Sequence, residues 1–204
     1  MIEFFFDCSS PWTYIAFRNI QPLAKELKVD IIWRPVLVGG IFNIANKNVY
    51  AAREDMNSSR NRYILKDVQD NARDTGLAIV FPPKVFPVNS VKAMRGCLWI
   101  AQDATAKDNY LAFVEATFAA YFTREEDISQ DAVLQAICSG VGIDANAFMQ
   151  GIARPDIKEQ LKSNTEEAIA RGAFGVPTFF IGDDMYFGND RLALVRSALL
   201  RGKP

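Results

Sequence analysis

The N-terminal strand-to-helix junction constrains this chain more than any other feature. A short apolar run, Ile2, Phe4, Phe5 and Phe6, passes through Asp7-Cys8-Ser9 into Ser10-Pro11 and a long stretch of helical periodicity. Residues 2–6 read as a strand whose near-continuous apolar character suits a buried sheet. From Pro11 to about Lys28, residues such as Trp12, Ile15, Ile20, Leu23 and Leu27 recur at helical spacing. Pro22 falls inside that helix and predicts a kink. A second strand is predicted over residues 29–34, ending at Pro35. A strand, a helix and a strand in this order imply a parallel pair joined by a crossover.

Ser10 stands where an N-cap belongs, and Pro11 at the first helical position, where its missing N–H costs nothing. A small side chain there faces the positive end of the helix dipole and unpaired backbone N–H groups. Such a place stabilises an anion, and a thiolate is an anion. The plainer alternative is that Ser10 only caps the helix.

Composition removes several function classes. Of 204 residues, 50% are hydrophobic and 23% charged, with a formal net charge of −1, the profile of an ordinary globular protein. There is no Lys/Arg block to attract a polyanion. No apolar run approaches the roughly 18 residues of a membrane span, and Met1-Ile2-Glu3 lacks the basic start of a signal peptide. Cys8, Cys97 and Cys138 are odd in number, far apart and not in a C-x-x-C, which predicts a cytoplasmic chain with reduced thiols. There is no histidine. Ser-His-Asp and Cys-His catalysis are therefore excluded, as is His-ligated zinc, and three scattered cysteines make no metal site. Proton transfer near neutral pH must use carboxylates, Lys, Tyr, a tuned thiol, water or the substrate.

Beyond Pro35 the pattern changes. Leu37-Val38-Gly39-Gly40-Ile41-Phe42 leads into a polar stretch from Asn43 to about Arg62. Helices are predicted over about 60–75, 90–105, 108–122, 130–139, 145–151 and 156–171. Phe81-Pro82-Pro83 and Phe86-Pro87 mark a rigid loop between two of them. Strand character returns in Pro177-Thr178-Phe179-Phe180-Ile181, followed by a Gly182-Asp183-Asp184 turn and a returning strand, Met185-Tyr186-Phe187. Gly188-Asn189-Asp190 opens a last helix with Leu192, Leu194, Val195, Ala198 and Leu199 on its predicted inner face. The expected architecture is α/β: β-α-β, a large all-helical insertion, then β-β-α. Residues 1–38 and 172–204 would form a thioredoxin-like domain, and 39–171 the insertion.

Three motifs sharpen this: Phe6-Asp7-Cys8-Ser9-Ser10-Pro11-Trp12-Thr13-Tyr14, Phe174-Gly175-Val176-Pro177-Thr178-Phe179-Phe180, and Phe187-Gly188-Asn189-Asp190-Arg191-Leu192. Together they resemble the 2-hydroxychromene-2-carboxylate isomerases, glutathione-dependent enzymes of aromatic degradation. They are also similar to the kappa-class glutathione transferases and, more distantly, to bacterial periplasmic disulfide oxidoreductases. The order of Leu37 through Phe42, Arg60-Asn61-Arg62-Tyr63, Phe81-Pro82-Pro83 and Asn89 through Arg95 extends the resemblance over essentially the whole chain. Redox relatives carry Cys-Pro-x-Cys at the helix start, where this chain has Ser10-Pro11-Trp12-Thr13. Without that pair the junction forms no intramolecular disulfide. Cys8 reads as a small buried filler, the alternative being a reactive thiol, and Cys97 and Cys138 read as packing.

The resemblance implies glutathione as cofactor, with the hydroxyl of Ser10 at its sulfur. A free thiol has a pKa of about 8.5, so a depression of roughly two units makes most of it thiolate at pH 7. It further implies a cis Val176–Pro177 bond that presents the Val176 backbone to the tripeptide, and a γ-glutamyl subsite at Gly188, Asn189 and Asp190. An ordinary Asx cap is the alternative there, and Arg191 could instead serve as a structural ion partner. Candidates for a carboxylate are Lys47, Arg53, Arg60 and Arg62, with Arg60 fitting the family pattern best. Asn43 or Asn46, and Asn89 after the Pro-rich loop, are candidates for substrate contact. The stretch between Phe42 and Tyr63 is a few residues longer than the family pattern. The expected activity is isomerisation of a small aromatic carboxylate through addition, rotation and elimination of the thiol, by a homodimer. Alternatives are a kappa-class-like transferase or peroxidase, a thiol-disulfide oxidoreductase, and a non-catalytic glutathione-binding domain.

Overall fold

The computed structural model describes residues 1–49 and 58–201. Strand β1 (Ile2–Phe6), helix α1 (Pro11–Leu27) and strand β2 (Ile31–Pro35) come first. Seven helices follow among the described residues: α2 (Val38–Ala45), α3 (Ser59–Asp74), α4 (Val91–Gln102), α5 (Tyr110–Phe122), α6 (Asp131–Gly140), α7 (Ala145–Gly151) and α8 (Pro155–Ala170). The chain returns as β3 (Thr178–Ile181), β4 (Asp184–Phe187) and α9 (Leu192–Arg201). The sheet order is β2-β1-β3-β4. As expected, β1 runs parallel to β2, while β1 with β3 and β3 with β4 are antiparallel.

The three phenylalanines of β1 go to alternate faces, as a pleated strand requires. Phe4 stacks on Phe179 at 4.8 Å and meets Trp33 edge-on. With Ile2 and Phe6 it joins the large core beneath α1, α4 and α5. Phe5 meets Phe180 at 5.4 Å on the opposite face, in a smaller cluster with Ile41 of α2 and Ala168 of α8. Helix α1 is pinned to α5 by Tyr14, whose ring stacks on Phe118 at 4.8 Å. On the α8 side, Glu3 takes hydrogen bonds from Arg34 and Arg171, and the Arg171 guanidinium lies 3.8 Å over the Phe180 ring.

The structure departs from expectation at four places. Helix α1 is one element with Pro22 inside it. It ends where Lys28 turns left-handed (φ 54°) and the N–H of Val29 bonds to Ala24, so β2 begins at Ile31 rather than at Val29. Residues 38–45 form a helix where no regular element was predicted; its first N–H groups are satisfied from far along the chain, as described below. The segment expected over 108–122 begins as a 3₁₀ turn, Lys107–Asn109, before α5. In α9 the inward stripe is Val195, Ala198 and Leu199, and Leu194 is 52% exposed. Leu194 falls about 100° off that stripe.

Helices α4 and α7 touch through glycines. A Cβ on Gly96 would lie 2.5 Å from the Phe148 ring, and one on Gly151 2.3 Å from the Trp99 indole. Trp99 and Phe148 are themselves packed edge to face at 5.9 Å and are both buried, so neither ring has room to give. Gly151→Ala is therefore expected to destabilise the protein by about 1–3 kcal/mol through overpacking. Urea unfolding should read this as a lower midpoint with an unchanged m-value.

Candidate active site

Ser10 is the N-cap of α1. Its backbone is extended (φ −106°, ψ 122°) and its Oγ accepts the Thr13 N–H at 3.3 Å. The hydroxyl proton is then left to be donated away from the helix. The residue is 9% exposed, at the wall of a cavity of about 690 Å³. That cavity is where the sheet's C-terminal edge, the α1 start and the helical segment meet.

Asp7 lies one step before the turn that delivers Ser10. It is 1% exposed. Its Oδ1 accepts the Ser9 N–H at 2.9 Å, and its Oδ2 accepts the Val38 N–H at 2.9 Å and the Ser90 hydroxyl at 3.0 Å. Burial pushes its carboxyl above the usual range, and the three donors oppose that push. Leu37, the N-cap of α2, has no capping side chain of its own, and its N–H goes to Thr165 Oγ1 at 3.0 Å. The start of α2 is thus built by Asp7 and Thr165, 31 and 128 residues away.

The remaining expected residues divide into two groups. Arg60, Asn89 and Val176 line the cavity with Ser10. Arg60 projects from the first turn of α3 and is the one cation of that lining among the described residues. Asn89 caps the Val91 N–H with its Oδ1 at 3.1 Å, leaving its amide N–H groups to donate. The Val176–Pro177 bond is cis, as are Phe81–Pro82 and Phe86–Pro87. Neither the N–H nor the C=O of Val176 bonds to another described residue, while Pro177 C=O accepts the Gly188 N–H at 3.0 Å.

Gly188, Asn189 and Asp190 sit beside that loop and are not part of the cavity wall. Asn189 is buried; its Nδ2 donates to Asn71 Oδ1 and its Oδ1 accepts from Asn19, both at 3.2 Å. Asp190 is exposed and pairs with Arg191 at 2.6 Å. Asn43 lies exposed on α2, off the cavity, whereas Asn46 lines it and donates to Phe174 C=O at 3.4 Å. Lys47 and Arg62 are exposed away from the wall, and Arg53 lies outside the described residues.

The apolar wall is richer than the motifs suggested. Phe81 and Phe86 of the Pro-rich loop meet edge to face at 5.2 Å, and Phe174 and Phe187 lie at 4.4 Å. The cysteines are inert by position. Cys8 is fully buried, its thiol pushed far up by burial and by the neighbouring Cys97. Cys138 is pushed up to about 12 by burial. Among the described residues no helix is long and apolar enough to cross a membrane.

A family model described as a DSBA-like thioredoxin domain matches residues 1–200. The chain belongs to the DSBA-like thioredoxin domain family. A 2-hydroxychromene-2-carboxylate isomerase of Pseudomonas putida is 29% identical over 201 residues, covering 98% of this chain and 95% of that protein. Human glutathione S-transferase kappa 1 is 25% identical, covering 97% and 90%. A solved 2-hydroxychromene-2-carboxylate isomerase structure has 27% identity and a TM-score of 0.77, covering 98% of this chain and 94% of that one. The isomerase and kappa-transferase resemblance and the thioredoxin-like fold expected from the motifs both stand. The helix start of this DSBA-like chain holds Ser10 and Thr13 where the redox pattern has two cysteines.

Gly175 keeps the cavity mouth open. A Cβ there would lie 3.0 Å from the Phe187 ring and 3.6 Å from Phe42. Gly175→Ala should push Phe187 off Phe174. Because Phe187 is 37% exposed and can yield, the expected stability loss is about 1 kcal/mol, the low end for overpacking. Thermal unfolding measures it, and it should be smaller than for Gly151→Ala.

Proposed function

We propose that this protein is a glutathione-dependent isomerase acting on a 2-hydroxychromene-2-carboxylate-like intermediate of aromatic degradation. The observation that carries this reading is the Ser10 hydroxyl. It sits at a helix N-terminus with its oxygen occupied by Thr13, its proton free, and a large part-aromatic cavity before it.

The donor set fits a tripeptide thiol. Ser10 donates to a sulfur anion, and the α1 terminus adds its partial positive charge; both favour the ionised thiol. The free N–H and C=O of Val176 suit strand-like pairing with a peptide. Asp190 would exchange Arg191 for the γ-glutamyl ammonium, on a loop braced by Gly188 and Asn189. Arg60 and the amide N–H groups of Asn89 are left for carboxylates, and the Phe81–Phe86 pair for an aromatic ring. When bound, glutathione supplies a nucleophile that adds to the substrate's double bond, frees its rotation and is eliminated unconsumed. The chain needs no histidine, because the nucleophile belongs to the cofactor. Ser10 holds the charge, the aromatic wall excludes water, and Arg60 orients the carboxylate. The 2-hydroxychromene-2-carboxylate isomerases and kappa transferases among its relatives support the reading.

Calorimetry with reduced glutathione, on wild type, Asp190→Ala and Ser10→Ala, tests it first. Wild type should bind in the micromolar to millimolar range, and Asp190→Ala should weaken binding by about tenfold or more. Ser10→Ala should still bind within a few-fold yet lose isomerisation of 2-hydroxychromene-2-carboxylate by about 100-fold, the cost of one anion-stabilising donor. Absence of binding by wild type would overturn the proposal. Stoichiometric consumption of glutathione would replace it with the transferase reading.

A further inference from the structure

Asp7 is the one carboxylate in the cavity lining among the described residues. It has no structural reason to be a carboxylate if its task is only to fill space. Its two oxygens collect donors from three separate elements: Ser9 ahead of α1, Val38 at the start of α2, and Ser90 at the start of α4. Ser90 is the N-cap of α4 yet makes no side-chain capping bond; its hydroxyl is given to Asp7 instead. Two of the three donors are backbone N–H groups, which cannot reverse and accept a proton from a neutral acid. The arrangement therefore suits the charged form.

The surroundings supply little to cancel that charge. The first residues of α2, Val38-Gly39-Gly40, bring no titratable group. The start of α4 brings Ser90 and then Lys92, which is bound to Asp131. The first turn of α1 brings Ser10 and Thr13. Cys8, the chain neighbour, is a neutral buried thiol that feels the Asp7 charge, and Arg60 shares only the cavity lining. A negative charge on Asp7, in the cavity lining it shares with Ser10, opposes a second negative charge seated on Ser10.

We propose that Asp7 is a positioning residue that ties the Ser10 turn to the starts of α2 and α4, and that its charge sets the pH at which a thiol held by Ser10 ionises. The inference rests on the glutathione reading above. In the step concerned, the S–H bond breaks, the sulfur keeps the electron pair and the proton leaves to water. The helix terminus and Ser10 favour that step, and Asp7 opposes it, so the thiolate is held less tightly than the cap alone would hold it. A nucleophile that must also leave again benefits from that balance.

The test is the ultraviolet thiolate absorbance of protein-bound glutathione as a function of pH, in wild type and Asp7→Asn. Asn keeps the shape and one acceptor and removes the charge. The absorbance midpoint should fall by about one pH unit in the variant, the size of a close like-charge effect. A purely structural role would loosen Ser10 and leave the midpoint unchanged or raise it, and either result would overturn the proposal. The reciprocal measurement needs no variant. By linkage, ionised glutathione should raise the titration midpoint of the Asp7 carboxyl carbon in the ¹³C spectrum of wild type, whereas S-methylglutathione, which cannot ionise, should not. Equal midpoints with the two ligands would equally sink it. Wild type that binds glutathione without thiolate absorbance fails the glutathione reading itself, and the inference with it, a result separate from an unshifted midpoint.

Discussion

Everything in this molecule is hung from β1. The strand is hydrogen-bonded along both edges, to β2 on one side and β3 on the other, and its three phenylalanines anchor the cores on both faces of the sheet. Where β1 ends, the chain must turn, and the turn places Asp7 and Ser10 at the rim of a fully buried support. Position at the rim gives the hydroxyl its access. Burial just beneath it gives its small displacements a high energetic cost. The precision of the site thus rests on the packing of Phe4, Phe5 and Phe6 beneath it, together with the hydrogen bonds that Asp7 accepts from Ser9, Val38 and Ser90.

The site is electrostatically a balance. Ser10 and the α1 dipole favour an anion, Arg60 offers the cavity a cation, and Asp7 brings to the same lining a carboxyl that burial pushes up and its donors pull down. The three cysteines lie in the interior, with the thiols of Cys8 and Cys138 pushed up by burial. A thioredoxin-like frame is therefore retained with Ser10 at its helix start and its cysteines in the interior.

Much of the fold was legible because it is written locally. Alternating or continuous apolar runs mark the four strands, Ser10-Pro11 marks the start of α1, and 3.6-residue periodicity marks most of the long helices. Helix α2 was not legible, because its start is capped by Asp7 and Thr165 from distant segments and it carries Gly39-Gly40 inside. In α9 the inward stripe runs through Val195, Ala198 and Leu199 and leaves Leu194 outside. The cavity followed the same rule. Ser10, Val176, Arg60 and Asn89 stood out as chemistry-bearing residues in recognisable contexts. Asp7 was in plain view, an acid closing an apolar strand, yet its three partners come from 2, 31 and 83 residues away. Nothing in the local pattern announces them. Asn189 was read as a ligand contact, and its amide is engaged with Asn19 and Asn71, a partnership no spacing rule anticipates.

The pairing of β1 with β3 has a consequence for how the chain is made. Phe5 finds its antiparallel partner only at Thr178, and Glu3 only at Phe180. During synthesis β1 is made well before β3, so its second edge is covered only after the intervening helices have been made. Until then it carries an open strand edge and unburied aromatic rings, the features that recruit chaperones and drive misassembly. In the folded protein the helices between β2 and β3 pack on both faces of the sheet, so this long excursion is placed where it can shield β1 before β3 is made.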